Sequence, residues 1–232
     1  MRIRFALPLA ALFALSLVGC QSDGGGGANA PAASGAAATA PQRLTPLPGK
    51  ESTAPKLTEV TKVRLATTAG DVIIEVYPQA GPNAAKRFLE LVTSGFFDDT
   101  PISRVVPGFV AQFGVNWRDP HKAYEHREFV DDPSWFALER GTLAFAKAGQ
   151  PNTASTQLFI NYADNTRLAA PQPNLSFWTF GKVVEGMDVV DKFVQVGDPS
   201  GGLDQGRLWA DGGNYLASLP VKPTMITKAT VE

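Results

Sequence analysis

"PISRVVPGFVAQFG", Pro101 to Gly114, holds one charge, Arg104, in a run that otherwise has the makings of a buried hairpin. β-branched and aromatic residues on both sides read as strands, and Pro107-Gly108 between them is a turn pair. A guanidinium among valines and phenylalanines is costly unless something pairs with it. Two readings are open at this point. Either a carboxylate elsewhere neutralises Arg104 and its role is structural, or it faces a cleft and meets a ligand.

Outward from this hairpin the pattern stays mainly β. "VTKVRLATTAGDVIIEVYP" alternates apolar and polar residues on each side of a turn at Thr68 to Gly70, which predicts two strands. "GPNAAKRFLELVTSG" predicts a helix, with Pro82 in its first turn, Ala84, Phe88, Leu91 and Val92 on one face, and Gly95 as its stop. "EGMDVVDKFVQVG" predicts a second helix with Met187, Val190 and Val194 on one stripe, and "PTMITKATVE" a closing strand. Many short strands with few helices suit a barrel or sandwich with helical caps. Asp98-Asp99 and Asp131-Asp132 adjoin turn residues and read as solvated loops rather than acid–base pairs.

The chain has 232 residues, enough for one sizeable domain, and a formal net charge of -1, which offers no basic field for nucleic acid. It has one cysteine, so no internal disulfide forms. Its two histidines, His121 and His126, have no cysteine partners, and a zinc site needs three or four ligands, so no metal is expected.

The N-terminus reads as an address. A short basic start precedes the apolar run Phe5 to Gly19, too short for a comfortable membrane span and right for the core of a signal peptide. "LVGC" at Leu17 to Cys20 resembles the lipobox of bacterial lipoproteins. The resemblance implies a leader over 1–19 and a diacylglyceryl group on Cys20, an anchor strong enough with two or more acyl chains to hold the protein at a membrane, facing an extracytoplasmic space. Gln21 after the cysteine resembles the signal for outer-membrane sorting. Residues 20–56 are rich in Ala, Gly, Pro, Ser and Thr and read as a disordered tether, roughly 30–35 Å between its ends. The folded domain is then expected over 57–232.

Three segments of that domain, "ISRVVPGFVAQFG" (Ile102 to Gly114), "GTLAFAKAGQPNTASTQLFIN" (Gly141 to Asn161) and "FWTFGKVVEGMDVVDKF" (Phe177 to Phe193), resemble in order and spacing the cyclophilin family of peptidyl-prolyl isomerases. The resemblance covers nearly all of Val60 to Glu232. It implies a closed antiparallel β-barrel of eight strands capped by two α-helices. It also implies catalysis of X-Pro rotation in exported polypeptides, by a monomer with no cofactor. By position, Arg104 matches the catalytic arginine. Phe109, Val110 and Gln112 match the floor of the proline pocket and its polar neighbour. Ala146, Lys147 and Ala148 match the backbone strip that pairs with substrate, Gln157 matches a glutamine close to the arginine, and Phe159 and Leu168 match apolar walls. Phe177 falls where many members carry His or Tyr.

The sequence departs from the family pattern at several of these places. Ile102-Ser103 replace the usual Phe-His, Val110 a common Met and Lys147 the usual Asn. Gln150 resembles a one-residue insertion, and Arg167 stands where animal members carry a tryptophan that matters for cyclosporin. Ser103 and Phe177 keep a second class open: a module that holds proline peptides and turns them over slowly.

Overall fold

The computed structural model describes residues 44–169 and 176–232. The leader, Cys20 and the tether as far as residue 43 lie outside the described residues, as do residues 170–175. Eight strands are present: β1 (Thr61–Thr67), β2 (Gly70–Val76), β3 (Thr100–Val106), β4 (Val110–Phe113), β5 (Thr142–Phe145), β6 (Leu158–Asn161), β7 (Thr179–Glu185) and β8 (Met225–Val231). They close into one barrel in the order β1-β2-β7-β5-β6-β4-β3-β8, every pair antiparallel. Closure removes the unpaired edges that an open sheet would expose.

Successive strand residues point to opposite faces, so each strand divides its side chains between the barrel interior and its outside. Val63, Leu65, Val72, Ile74, Ala111, Phe113, Leu143, Phe145, Leu158 and Ile160 belong to the interior cluster. Their alternates on β4, β5 and β6 form a second cluster on the outer face, built on Val110, Ala144 and Phe159. β3 changes its parity partway. A bulge between Ile102 and Arg104 sets Ile102 opposite Phe113 and Arg104 opposite Gln112. Strict alternation from Ile102, which faces the interior, would carry Arg104 inward as well. The extra residue, Ser103, is fully buried, returns Val105 to the interior cluster and turns Arg104 to the outer face.

Helix α1 (Pro82–Thr93) buries Ala84, Ala85, Phe88, Leu91 and Val92 and covers the barrel beside β7 and β8. Phe88 lies 5.7 Å from the rings of both Phe97 and Phe180; burying such a ring contributes about 1.5–3 kcal/mol. The first turn of α1 is capped from a distance. The Asp132 carboxylate accepts from the N–H groups of Asn83 and Ala84 at 3.1 and 2.8 Å, satisfying two donors that a helix start leaves open. Asp132 is therefore a buried cap and not a solvated loop residue, and burial pushes its carboxyl up against the pull of those two amides. Asp98 is also engaged, with Lys228 at 2.5 Å and the Ala229 N–H at 3.0 Å.

Two other sequence expectations differ from the structure. The helix expected after Glu185 is a single turn, α2 (Met187–Val190). The second long helix is α3 (Gln205–Ser218), kinked at Asp211 and capped by Asp204, whose side chain accepts from the Arg207 N–H. Its Gly212 hides it from a propensity reading, because glycine weakens helices. Here glycine is required, since a Cβ would lie 2.3 Å from the Trp117 ring. The second difference concerns residues 44–56, which composition assigns to the tether. They pack on the domain. Ala137 donates to Thr45 and Leu47 donates to Trp135, at 2.8 and 2.9 Å. Leu44 is buried with Tyr77, Ala80 and Phe136. Two leucines in a Pro/Thr-rich stretch are enough once a stretch of backbone with free polar groups, residues 135–137, lies ready to pair with them.

Candidate active site

The bulge delivers Arg104 to the outer face of β3, beside the apolar cluster on β4, β5 and β6. Phe109 sits in the turn that joins β3 to β4, Val110 and Gln112 on β4 and Phe159 on β6. Register does the gathering: Arg104 faces Gln112 across one pair of strands, and Gln112 faces Phe159 across the next. Leu168, in a short 3-10 turn at Thr166–Ala169, and Phe177 pack on the same cluster. Phe177 accepts no strand partner there; its N–H donates to the Leu168 carbonyl at 3.0 Å and its ring meets Phe159 edge-on at 5.6 Å. The result is an apolar cluster on the outer face, a candidate slot formed by Phe109, Val110, Phe159, Leu168 and Phe177, with Leu47 packed on it. All five sequence-predicted apolar residues are brought together.

The polar side of the slot is a relay of neutral groups. Arg104 Nη1 donates to Gln112 Oε1 at 3.3 Å, and Gln112 Nε2 donates to Gln157 Oε1 at 2.8 Å. Arg104 Nε donates to the Ser200 carbonyl at 2.6 Å. The guanidinium carbon stands 5.6 Å from the centre of the Phe109 ring, which Arg167 also approaches at 5.7 Å. Among the described residues no carboxylate pairs with Arg104, and burial alone lowers its pKa. An arginine keeps its charge through such a shift. Of the two readings of the hairpin, the one in which a carboxylate neutralises Arg104 is not met among the described residues.

Lys147 is held in another way. Its ammonium pairs with Asp131 at 2.7 Å, and its side chain is 1% exposed. It lies 5.6 Å from the Phe177 ring and 5.1 Å from the Trp178 ring. The sequence alone suggests a solvated lysine; the structure makes it a buried support beneath Phe177. The strip Ala146 to Ala148 leaves β5 with its N–H groups partly used: Ala146 donates to Gln157 and Ala148 to the Thr153 hydroxyl, at 2.8 and 3.0 Å. The carbonyls of these three residues accept nothing from the described residues, so the strip presents acceptors for an extended peptide.

Gln112 and Gln157 also line a groove of about 290 Å³. The strip forms one side, and Glu125, His126 and Trp209 contribute to the rest. Trp209 belongs to α3 and was not legible as a site residue, because its helix was not. A larger cavity of about 570 Å³ lies at the C-terminal end of α1, among Asp98, Asn116, Arg118 and His121. Its charged groups are already engaged: Arg118 donates to Asn116 Oδ1 and to the Asp98 carbonyl, and Lys228 pairs with the Asp98 carboxylate. It has no apolar wall comparable to the slot.

The outer face of the barrel thus brings together an apolar cluster, a guanidinium without a carboxylate partner and a strip of unused carbonyls. Comparisons with known proteins identify the family. Residues 62–230 match the family model described as cyclophilin type peptidyl-prolyl cis-trans isomerase/CLD. A peptidyl-prolyl cis-trans isomerase of Acinetobacter baylyi is 36% identical over 148 residues, covering 62% of this chain and 78% of that protein. Peptidyl-prolyl cis-trans isomerase A of Dickeya dadantii is 34% identical over 175 residues, covering 75% and 86%. Among solved structures, a cyclophilin type isomerase of Cryptosporidium parvum matches with a TM-score of 0.56 at 23% identity, over 75% of this chain and 98% of that one. The same protein has also been crystallised in the presence of the dipeptide Ala-Pro. The chain belongs to the cyclophilin-type peptidyl-prolyl cis-trans isomerases, and its activity is rotation about X-Pro bonds.

Proposed function

We propose that Arg104 is the catalytic donor of this isomerase and that the slot of Phe109, Val110, Phe159, Leu168 and Phe177 holds the proline ring. Resonance puts roughly 18–20 kcal/mol between the cis and trans amides. In the twisted state that resonance is lost, and the prolyl nitrogen becomes pyramidal and gains a lone pair. A donor aimed at that lone pair stabilises only the twisted state, the condition for acceleration. Arg104 keeps N–H groups free after serving Ser200 and Gln112. A charge-assisted hydrogen bond contributes about 1.5–3 kcal/mol. An acceleration of about 10⁵ needs about 7 kcal/mol, so the dry slot and strain in the bound peptide, about 1–5 kcal/mol, supply the rest. With the ring clamped, the residue before proline rotates along the carbonyls of Ala146, Lys147 and Ala148, and Gln112 and Gln157 hold the guanidinium in line.

The observation that carries this reading is that Arg104, beside the slot, touches only neutral acceptors. On an Ala-Pro peptide followed by NMR exchange, the wild type accelerates interconversion and Arg104→Ala largely loses the effect. Equal rates for the two would overturn the assignment. Binding of the peptide without acceleration by the wild type would make the protein a holding module.

The clients are exported polypeptides, met by a monomer tethered through lipid on Cys20 at the periplasmic side of a membrane, the outer membrane being the destination that Gln21 favours. The apolar run before the sole cysteine and the Ala/Gly/Pro-rich stretch after it support this reading. Cys20→Ala is expected to move the protein from the membrane pellet to the soluble fraction. A variant that still pellets would contradict the anchor.

A further inference from the structure

We infer that the turn from Gly197 to Gly202 is a clasp that positions the Arg104 guanidinium for turnover, with Asp198 as its positioning residue. The inference rests on Arg104 being the catalytic donor. A bulged strand gives up part of its ladder, and the clasp takes over the backbone group set free: the Ser103 carbonyl accepts from the Leu203 N–H at 2.8 Å. Asp198 and Gly202 exchange two backbone hydrogen bonds, both 2.8 Å. Within the turn, Asp198 Oδ1 accepts from the Ser200 N–H at 2.9 Å, the Ser200 hydroxyl at 2.8 Å and the Gly201 N–H at 2.6 Å. These bonds fix the peptide unit whose carbonyl receives Arg104 Nε at 2.6 Å.

The fit is close enough to dictate residue type. Gly202 has φ +76°, and a Cβ there would lie 2.6 Å from Arg104 Cβ and 2.5 Å from the Ser103 carbonyl. The clasp therefore touches the stem of Arg104 as well as its head. Long side chains lose rotamer freedom only when something holds them, and a guanidinium pinned at Nε and Nη1 presents its remaining donors in one plane. The Asp198 carboxyl is held below the usual range by the Gly201 N–H, the Ser200 hydroxyl and the Ser200 N–H, so it stays charged while it serves them.

The test is exchange kinetics on an Ala-Pro peptide with the full-length protein, normalised to folded fraction. Asp198→Ala is expected to lower kcat about tenfold, short of the roughly hundredfold cost of an ångström's misplacement, with KM within about twofold because the slot is untouched. Asp198→Asn, which keeps the accepting oxygen, is expected to restore kcat to within about twofold of the wild type. A wild-type kcat for Asp198→Ala, beside an inactive Arg104→Ala, would overturn the clasp and leave the donor in place. A wild-type kcat for Arg104→Ala would overturn both. Should Asp198→Ala not fold, solvent exchange of the Arg104 Nε–H in the wild type reads the same contact. Protection is expected, and exchange at the rate of a free arginine would contradict the clasp.

Discussion

Of the cations near the slot, Lys147 and Arg104 are held in opposite ways. Lys147 meets a carboxylate, lies almost wholly out of solvent and supports the rings of Phe177 and Trp178. Arg104 meets a carbonyl and an amide oxygen, keeps donors to spare and stands over an open apolar wall. The first charge is already neutralised and has nothing left to offer a substrate; the second is desolvated without being spent. On the reading proposed above, the character of the partner, more than the depth of burial, separates Arg104 from Lys147.

The contrast between Lys147 and Arg104 can be broken most forcefully from the lysine's side. Asp131→Ala leaves Lys147 buried without its partner, and removal of one member of such a pair costs about 3–5 kcal/mol. Denaturant titration should register that loss, while kcat per folded molecule changes little. Replacing both members, Lys147→Met with Asp131→Leu, should recover most of the stability, because a buried ion pair often exchanges for apolar packing at little cost. On the arginine's side, Gln112→Ala removes both hydrogen bonds of the relay, the long one from Arg104 and the one to Gln157. It is expected to lower kcat/KM about five- to tenfold, from about 1 kcal/mol, with an unchanged unfolding midpoint. The smallest effect is one of pH. Burial lowers the Arg104 pKa from its ordinary value, but arginine stays protonated in proteins, and the reaction transfers no proton. The kcat/KM profile should be flat from about pH 5 to about pH 9, in contrast to the bell of a general acid–base enzyme.

The barrel and the slot were legible because period-2 alternation and the Pro107-Gly108 turn survive in the residues themselves, and because the three resembling segments stand in register. The facing of Arg104 was legible only through that resemblance. Apolar alternation through Ile102, Ser103 and Arg104 carries no mark of the bulge, which exists only as a mismatch between β3 and β4. The Lys147–Asp131 pair joins residues sixteen apart, a distance at which no local pattern speaks. α3 stayed hidden behind Gly212, whose reason is the Trp117 ring, although Asp204 followed by Leu208 and Tyr215 was a usable signal of a capped, one-faced helix. The packed segment at 44–56 was masked by a composition that elsewhere means disorder.

The most direct measurement sets the two cations side by side: NMR exchange on one Ala-Pro peptide, at equal concentrations of folded protein, for Arg104→Ala and for the Lys147→Met, Asp131→Leu double variant. A loss of about a hundredfold is expected for the first, the value of one charge-assisted hydrogen bond, and rates within about threefold of the wild type for the second. An active Arg104→Ala beside an inactive double variant would contradict the account.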